Sequence, residues 1–516
     1  VDSSGPLAGD MFSSGRMWNS ISLTRPGEHT IFVRLKAKGH TQFLCNIQAY
    51  KAKKPFQVYS PPFLPDFLGQ PGRGYSMMGQ YISVPVVNLG DSWLNVSMQI
   101  RASQAGMQFS IPSSQKEAIH SVAPGQLTSL QLAIETIVPS ISIENCQLLR
   151  VGITVSSNEY TSPPIDIEFR CRNFGESFVF TFVDHDGTVS RAAAITPLAS
   201  SVWGNTSCAN GAKSKGTHCP VVLSLHGTGV DVSMQADSYK FKPRGALESE
   251  KYTFGVNNAW LLAPTRHGAH NWEYTGHLSA MSALLNLPEL IHSTYGDILP
   301  GVDTSRVLYT GHSMGGHGAW TLASHDTDRA IGIVVAAGWI RKEEYGDSNR
   351  FFLHDIGHAH VDPGLKSILE SSFSEYNADI FTGNLRSVPV VIRVGANDRA
   401  VPPWYSRKMS RLLREHGVDV IYDEVKDKAH WWWDTGFPND GGVLNDPKMR
   451  QYYSSMIKDG NQQLKSLAKT FTFAATNPAG STGRGGFRIL QQIFPYRLSE
   501  VSVNIGSQTI NVLTSN

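Results

Sequence analysis

Apolar and polar positions alternate in short runs over the first third of the chain and gather into continuous apolar blocks after it. His29-Thr30-Ile31-Phe32-Val33-Arg34-Leu35 and Gln147-Leu148-Leu149-Arg150-Val151-Gly152-Ile153-Thr154-Val155 are of the first kind, sending every second side chain to one face as a half-buried strand does. Clusters of Pro, Gly, Ser and Asn separate these runs, with few helical patterns between them. Residues 1–173 therefore read as antiparallel sheets packed as β-sandwich-like modules. The extended piece from Lys54-Pro55 to Pro61-Pro62-Phe63-Leu64-Pro65 reads as a linker, which would make two small β-modules of this region.

From about Phe174 the pattern becomes that of strands alternating with helical segments, as in a mostly parallel sheet with flanking helices. Phe178 to Val183 and Thr188 to Ala194 predict an opening hairpin. Further strands are expected at Val221–Leu225, Trp260–Pro264, Arg306–Thr310, Ile331–Ala337, Val388–Val394 and Val420–Val425. Helices are expected over His277–Leu285, Met314–Ala323, Tyr405–His416 and Lys448–Lys458. This domain is expected to span 174–466 with a long insertion at 341–386. Residues 467–516 return to β, with runs at Lys469–Ala474, Phe487–Leu490, Val501–Ile505 and Thr509–Val512 around a glycine-rich loop, Gly480 to Gly486. So few strands do not stand alone, and they are expected to pack on another domain.

Length and composition narrow the class. With 516 residues, roughly two to four domains and a large core are expected. Forty-five basic residues against 43 acidic ones leave a net charge of +2, so no field steers the chain toward nucleic acid or an anionic membrane. The longest apolar run, Ile331 to Ile340, is about half of what a bilayer span requires. The chain opens at Val1 without a methionine or a signal-like apolar segment, as a processed protein or an excerpt would. Cys208 and Cys219 bracket a polar loop and are expected to close it as a disulfide. Cys45, Cys146 and Cys171 remain, so at least one thiol stays unpaired. Asn95-Val96-Ser97 and Asn205-Thr206-Ser207 match the glycosylation pattern at Asn95 and Asn205, and with the disulfide they favour secretion.

The chemistry centres on Gly311-His312-Ser313-Met314-Gly315-Gly316, a serine between glycines directly after an apolar strand. That spacing is a nucleophile elbow, a strand-to-helix turn sharp enough to demand small residues on both sides of the serine. A serine hydroxyl attacks only when a histidine accepts its proton, and the histidine needs a carboxylate to orient it. Val394 leads into Gly395-Ala396-Asn397-Asp398, which puts Asp398 at a strand's C-terminal end. The loop Lys426-Asp427-Lys428-Ala429-His430 follows the last strand, with His430 as its only imidazole. The order Ser313, Asp398, His430 is the order of an α/β-hydrolase. Asp427 is the alternative acid, although it shares the histidine's own loop. His317, one turn into the elbow helix, is expected to point away from the serine, and His312 to pack or hydrogen-bond locally. The oxyanion donors are expected at Met314, the residue after the nucleophile, and at Thr228, with Gly227 next.

Gly-His-Ser-Met-Gly-Gly-His-Gly at 311–318, His226-Gly227-Thr228-Gly229, Gly395 to Pro403 and the loop of His430 together resemble the prolyl-oligopeptidase-type and polyhydroxybutyrate-depolymerase-like branch of the α/β-hydrolases. The resemblance covers about Phe178 to Gly460. It implies cleavage of acyl bonds through an acyl-serine intermediate, with no metal and no cofactor. Peptidases of that branch usually carry an N-terminal propeller, absent here, and an aromatic residue or asparagine where this chain has Met314. The reading therefore leans to a carboxylic ester hydrolase acting on a small-molecule or polymeric ester. A serine peptidase of the prolyl-oligopeptidase type is the alternative, and a catalytically inactive hydrolase serving as a binding or adhesion protein is the third reading. Paired carboxylates near Ser313, able to hold a substrate's amino terminus, would favour an exopeptidase. Arg266, His267 and Trp272, on a loop after a strand, and Trp404 and Trp431, flanking Asp398 and His430, are candidate pocket residues. His354-Asp355-Ile356-Gly357-His358-Ala359-His360-Val361-Asp362 contains metal-ligating residue types, but Gly357 weakens the helix that such ligation needs, and a lid is the simpler reading.

Overall fold

The computed structural model describes residues 53–199, 208, 217–433 and 442–515, apart from 59–61, 71–73, 102–108, 113–118, 137–145, 147–148, 243–246, 248, 266–269, 346–361 and 464–468; Glu28 and Thr30 are described as well. An eight-stranded sheet forms its centre, built from β1 (Phe178–Val183), β2 (Val189–Ile195), β3 (His218–Leu225), β4 (Trp260–Pro264), β5 (Gly301–His312), β6 (Ala330–Ala336), β7 (Val390–Gly395) and β8 (Val420–Val425). The spatial order is β1-β2-β4-β3-β5-β6-β7-β8. β1 and β2 are antiparallel to their neighbours, and the other six strands run parallel. The middle strands are continuous apolar runs because both faces of the sheet are covered.

Side chains alternate between the two coverings. Val221, Leu223, Val307 and Tyr309 enter the core shared with α2 (Thr275–Tyr295), α3 (Met314–His325) and α4 (Pro403–Glu415). Val222 and Leu308 enter the opposite core, with α1 (Val232–Asp237) and α5 (Pro447–Gln463). The parallel register brings Leu225 level with Gly311, His312 with Ala336, Ala336 with Arg393 and Gly395 with Val425. The loops leaving these strands therefore emerge along one edge, where α/β sheets place their sites. The helix expected to stop at Leu285 continues as α2 through Pro288 to Tyr295. Leu287, Ile291 and Tyr295 extend its buried stripe past the proline, and that burial outweighs the lost backbone bond.

Before this sheet come short antiparallel ones. Phe56–Val58, Tyr81–Asn88 and Leu127–Ala133 form one; His120–Val122, Leu94–Arg101, Arg150–Ser156 and Ile165–Glu168 form another. Their facing residues, Ile82, Val84, Val96, Ile153 and Val155 among them, share one apolar core, as the alternating pattern requires of a sandwich. The Pro-rich piece read as a linker is partly strand: Phe56 is fully buried in this core and Phe63 bridges to Ser83. Cys146 pairs with Cys171, and Cys208 with Cys219, as expected for the second pair. Cys45 and Asn205 lie outside the described residues, while Asn95 is exposed on its strand.

After α5, Thr470–Ala475, Ser499–Ile505 and Ile510–Ser515 make a three-stranded antiparallel sheet. The strand expected over Phe487–Leu490 does not form: Gly483, Gly485 and Gly486 at positive φ turn the chain back, and only the Arg484–Phe487 bridge remains. This segment packs on the large sheet's helical layer. Asn384 bonds both the amide and the carbonyl of Ala474, and Arg484 donates to the carbonyls of Asn384 and Arg386. No helix among the described residues is long and apolar enough to cross a membrane.

The sandwich and the large sheet are joined through Asp66. Its carboxylate accepts from Arg170 at 2.9 and 3.0 Å and from the Val179 amide of β1 at 2.7 Å, and its own amide donates to the Val179 carbonyl. Asp66→Ala would strand the buried Val179 amide, and is expected to cost about 2 kcal/mol. Asp66→Asn, which keeps an acceptor, should cost less; thermal melting of the two variants beside the wild type measures the difference.

Candidate active site

The elbow is a consequence of close packing. Ser313 sits at φ 59°, ψ −118°, a region that non-glycine residues avoid, with its amide bonded to the Ala336 carbonyl at 2.9 Å. A Cβ on Gly315 would lie 1.7 Å from the Leu225 carbonyl oxygen, and one on Gly311 would lie 2.3 Å from the Gly315 oxygen. Only glycines let β3, β5 and the start of α3 meet this tightly, and the serine between them absorbs the strain. Met314, the first residue of α3, presents one of the amides that have no acceptor within the helix.

Asp398 and His430 meet each other, and His430 lies against His312, the residue before Ser313. Asp398 Oδ1 accepts from the amides of Ala400 and Val401, both at 2.9 Å, and its Oδ2 lies 2.7 Å from His430 Nδ1. Both side chains are buried, as is Ser313. The carboxylate is thus fixed by its own turn and leaves one oxygen for the imidazole. Asp427, at φ 60°, occupies the turn after β8. The loop carrying His430 is held from behind by Trp432, which packs on Val443 and Leu444. It is also held by His312, whose Nε2 donates to the His430 carbonyl at 3.0 Å. Burial first, and the neighbouring His430 second, push His312 down to about 3, so at neutral pH it is an uncharged brace.

Gly227 lies against the elbow: a Cβ there would be 3.1 Å from the His312 carbonyl oxygen and 3.5 Å from Ser313 Cβ. Its peptide is set by His226, whose Nδ1 meets the Gly227 carbonyl at 2.9 Å while Nε2 meets the Thr265 hydroxyl at 2.8 Å. Burial lowers His226 to about 4. Thr228 is half-buried on the next position. Behind them Trp272 donates from Nε1 to the His226 carbonyl at 3.0 Å. The structure therefore places Trp272 in the core, 0% exposed, rather than on an open pocket wall. It braces the loop that carries Gly227 and Thr228, and Gly318 of α3 has no room for a side chain against it. Trp404 and Trp431 are 43% and 51% exposed, and the Trp431 ring meets His430 edge-on at 5.0 Å. Arg266, His267 and the histidines at 354, 358 and 360 lie outside the described residues.

One cluster has no counterpart in the sequence reading. Glu273, fully buried, takes His317 Nε2 on Oε1 at 3.1 Å and the Lys342 ammonium on Oε2. His317 Nδ1 meets the Trp339 carbonyl at 3.2 Å, so both ring nitrogens face oxygen acceptors and neither faces the serine. Burial works to raise Glu273, but the His317 hydrogen bond and the Lys342 charge outweigh it and hold the carboxyl below its ordinary range. A second buried carboxylate, Glu375, is pushed up by burial and bonds Asn477 Nδ2 with both oxygens at 3.0 Å. Partners 44 and 69 positions from Glu273 leave no local periodicity by which to find the cluster.

Sheet order, elbow and the placement of the acid and histidine after the last two strands define an α/β-hydrolase fold. No family model matches the chain. Among curated proteins, an uncharacterised secreted protein of Arthroderma benhamiae is 26% identical over 395 residues, 71% of this chain and 38% of that one. S-formylglutathione hydrolase of Arabidopsis thaliana is 25% identical over 165 residues, 31% of this chain and 51% of that one. The chain thus spans between about two fifths and half of the length of these curated relatives. Among solved structures, an S-formylglutathione hydrolase from Agrobacterium tumefaciens aligns with a TM-score of 0.36 at 18% identity, covering 55% of this chain and 96% of that one. A puromycin-hydrolysing peptidase from Mycobacterium tuberculosis aligns with a TM-score of 0.37 at 12% identity, covering 75% and 66%.

Two variants test this architecture. Gly315→Ala forces a methyl group onto the Leu225 carbonyl and is expected to lower stability by about 3 kcal/mol, read by thermal melting. Glu273→Gln leaves the largely buried Lys342 ammonium short of its counter-charge and should cost about 3 kcal/mol at neutral pH. Because the folded-state pKa of Glu273 lies below its ordinary value of 4.5, wild type should hold this advantage above pH 4.5. The advantage is lost as pH falls through the folded value, so the two melting curves should converge in acid.

Proposed function

We propose that the chain is a secreted serine hydrolase that cleaves carboxylic esters of small-molecule or polymeric substrates through an acyl-Ser313 intermediate. His430 Nε2 takes the Ser313 proton as the hydroxyl oxygen attacks the ester carbonyl, and Asp398 holds the ring in the required tautomer and stabilises its charged form. The amides of Met314 and of Thr228 or Gly227 receive the oxyanion. The C–O bond then breaks, the alcohol leaves with the proton from His430, and water activated by the same imidazole releases the acid. The reading rests above all on the 2.7 Å bond from His430 Nδ1 to a carboxylate already fixed by two backbone amides, with His430 packed on His312, the neighbour of a serine at φ 59°.

Ester rather than exopeptidase chemistry is supported by Glu273. A substrate's amino terminus needs a free carboxylate near the serine, and this one is already matched by Lys342 and His317. The Arabidopsis relative is itself named a hydrolase of S-formylglutathione. Secretion is supported by the two disulfides, by the exposed Asn95 and by the secreted Arthroderma relative.

Wild type and Ser313→Ala, treated with a fluorophosphonate probe and then offered a short p-nitrophenyl ester and a prolyl amide, test the reading. Labelling and ester turnover are expected in wild type and should vanish in the variant, with the amide left intact. Amide turnover would put the prolyl-oligopeptidase-type peptidase first. A wild type that does not label would make the chain a binding protein built on an inactive hydrolase fold.

A further inference from the structure

Segment Trp339–Tyr345, which follows β6, is tied to the elbow helix at two points: directly by His317, whose Nδ1 meets the Trp339 carbonyl at 3.2 Å, and through Glu273 by Lys342. The Lys342 ammonium meets Glu273 Oε2 and lies 5.1 Å from the ring centres of both Tyr274 and Phe373, with only 13% of the side chain exposed. Through the other oxygen of Glu273 the clamp reaches His317, which lies one turn after Ser313 and bonds its carbonyl at 3.1 Å. His317 in turn stacks on Trp339 at 4.9 Å, and Trp339 stacks on Tyr345 at 4.2 Å. Lys342 thus closes a ring of contacts that runs from the elbow through Glu273 and back along its own segment. Asn271, Trp272 and Tyr274, around the acid, sit at φ 48°, 61° and 46°, so this loop is held in strained backbone by the contacts it makes.

A buried ion pair adds little net stability compared with apolar side chains of the same volume. What this one supplies is a fixed geometry, and its composition is specific: one carboxylate and two ring faces around a primary ammonium on an alkyl stem. We propose that Lys342 is a positioning residue, clamping Trp339–Tyr345 against the elbow helix as a wall of the site, and that the clamp is an ammonium-binding cage filled by the chain's own lysine. The positioning half rests on the serine-hydrolase reading; the cage does not.

Lys342→Ala empties the cage. Its melting temperature is expected to fall and its fluorophosphonate labelling to slow about tenfold, and n-butylammonium chloride should restore both saturably. n-Butanol and sodium chloride at matched concentrations should restore neither. Wild-type labelling by the variant would overturn the positioning role. Loss without selective rescue by n-butylammonium would overturn the cage. If Lys342→Ala does not fold, Lys342→Met, which fills the volume without charge, carries the test: slowed labelling in a folded variant supports positioning, and unchanged labelling overturns it. Were wild type itself not to label, the positioning role would fall together with the serine-hydrolase reading. Rescue of the melting temperature would still support the cage, and its absence would overturn it.

Discussion

The contact between the Gly315 backbone and the Leu225 carbonyl, too close to admit a single carbon atom, governs the geometry around Ser313. It draws the start of α3 down onto the end of β3, so the chain can leave β5 only through a turn that leaves Ser313 at positive φ. The same closeness brings Gly227 against the serine, because Gly227 continues the strand on which Gly315 rests. Ser313, the amides at the start of α3 and the loop of Gly227 are therefore one packing arrangement, and the residues that fix it are glycines and main-chain carbonyls.

Around this point the polar side chains divide into two groups. Asp398, His430 and His312 form a hydrogen-bonded line from the loops after β7 and β8 back to β5. Glu273, His317 and Lys342 form a buried hydrogen-bonded cluster against α3. Burial keeps His312 and His226 uncharged at neutral pH, so they serve as fixed dipoles. Beside α3, charge is admitted to the interior where both oxygens of Glu273 are matched.

How much of this was legible follows from what kind of signal each feature leaves. Ser313, Asp398 and His430 each follow closely on an apolar strand run, so their places at the strand ends, and the pairing of Asp398 with His430, were readable from sequence order. The large sheet was readable for the same reason, since strands covered on both faces are continuous apolar blocks. Trp272 was misread as a pocket residue because an aromatic on a loop after a strand looks the same whether it turns outward or, as here, inward to the His226 carbonyl. Lys342 and Glu273 were missed because their pairing depends on how far the chain folds back after β6. The strand expected at Phe487–Leu490 failed because three glycines at positive φ outweigh four residues of suitable composition.

The far end of the elbow helix is finished by a part of the chain made much later. The His325 carbonyl accepts from the amide of Thr482, 157 residues further on, and the Thr482 hydroxyl donates to Asp326. Asp398 and His430 also lie well after the serine. During synthesis, which delivers the N-terminal part first, the sandwich and the early strands can assemble while α3 still has an uncapped end and before His430 exists. The turn at Ser313, set by Leu225, Gly311, Gly315 and Ala336, can thus form well before the Asp398–His430 pair and the far-end cap of its helix have emerged.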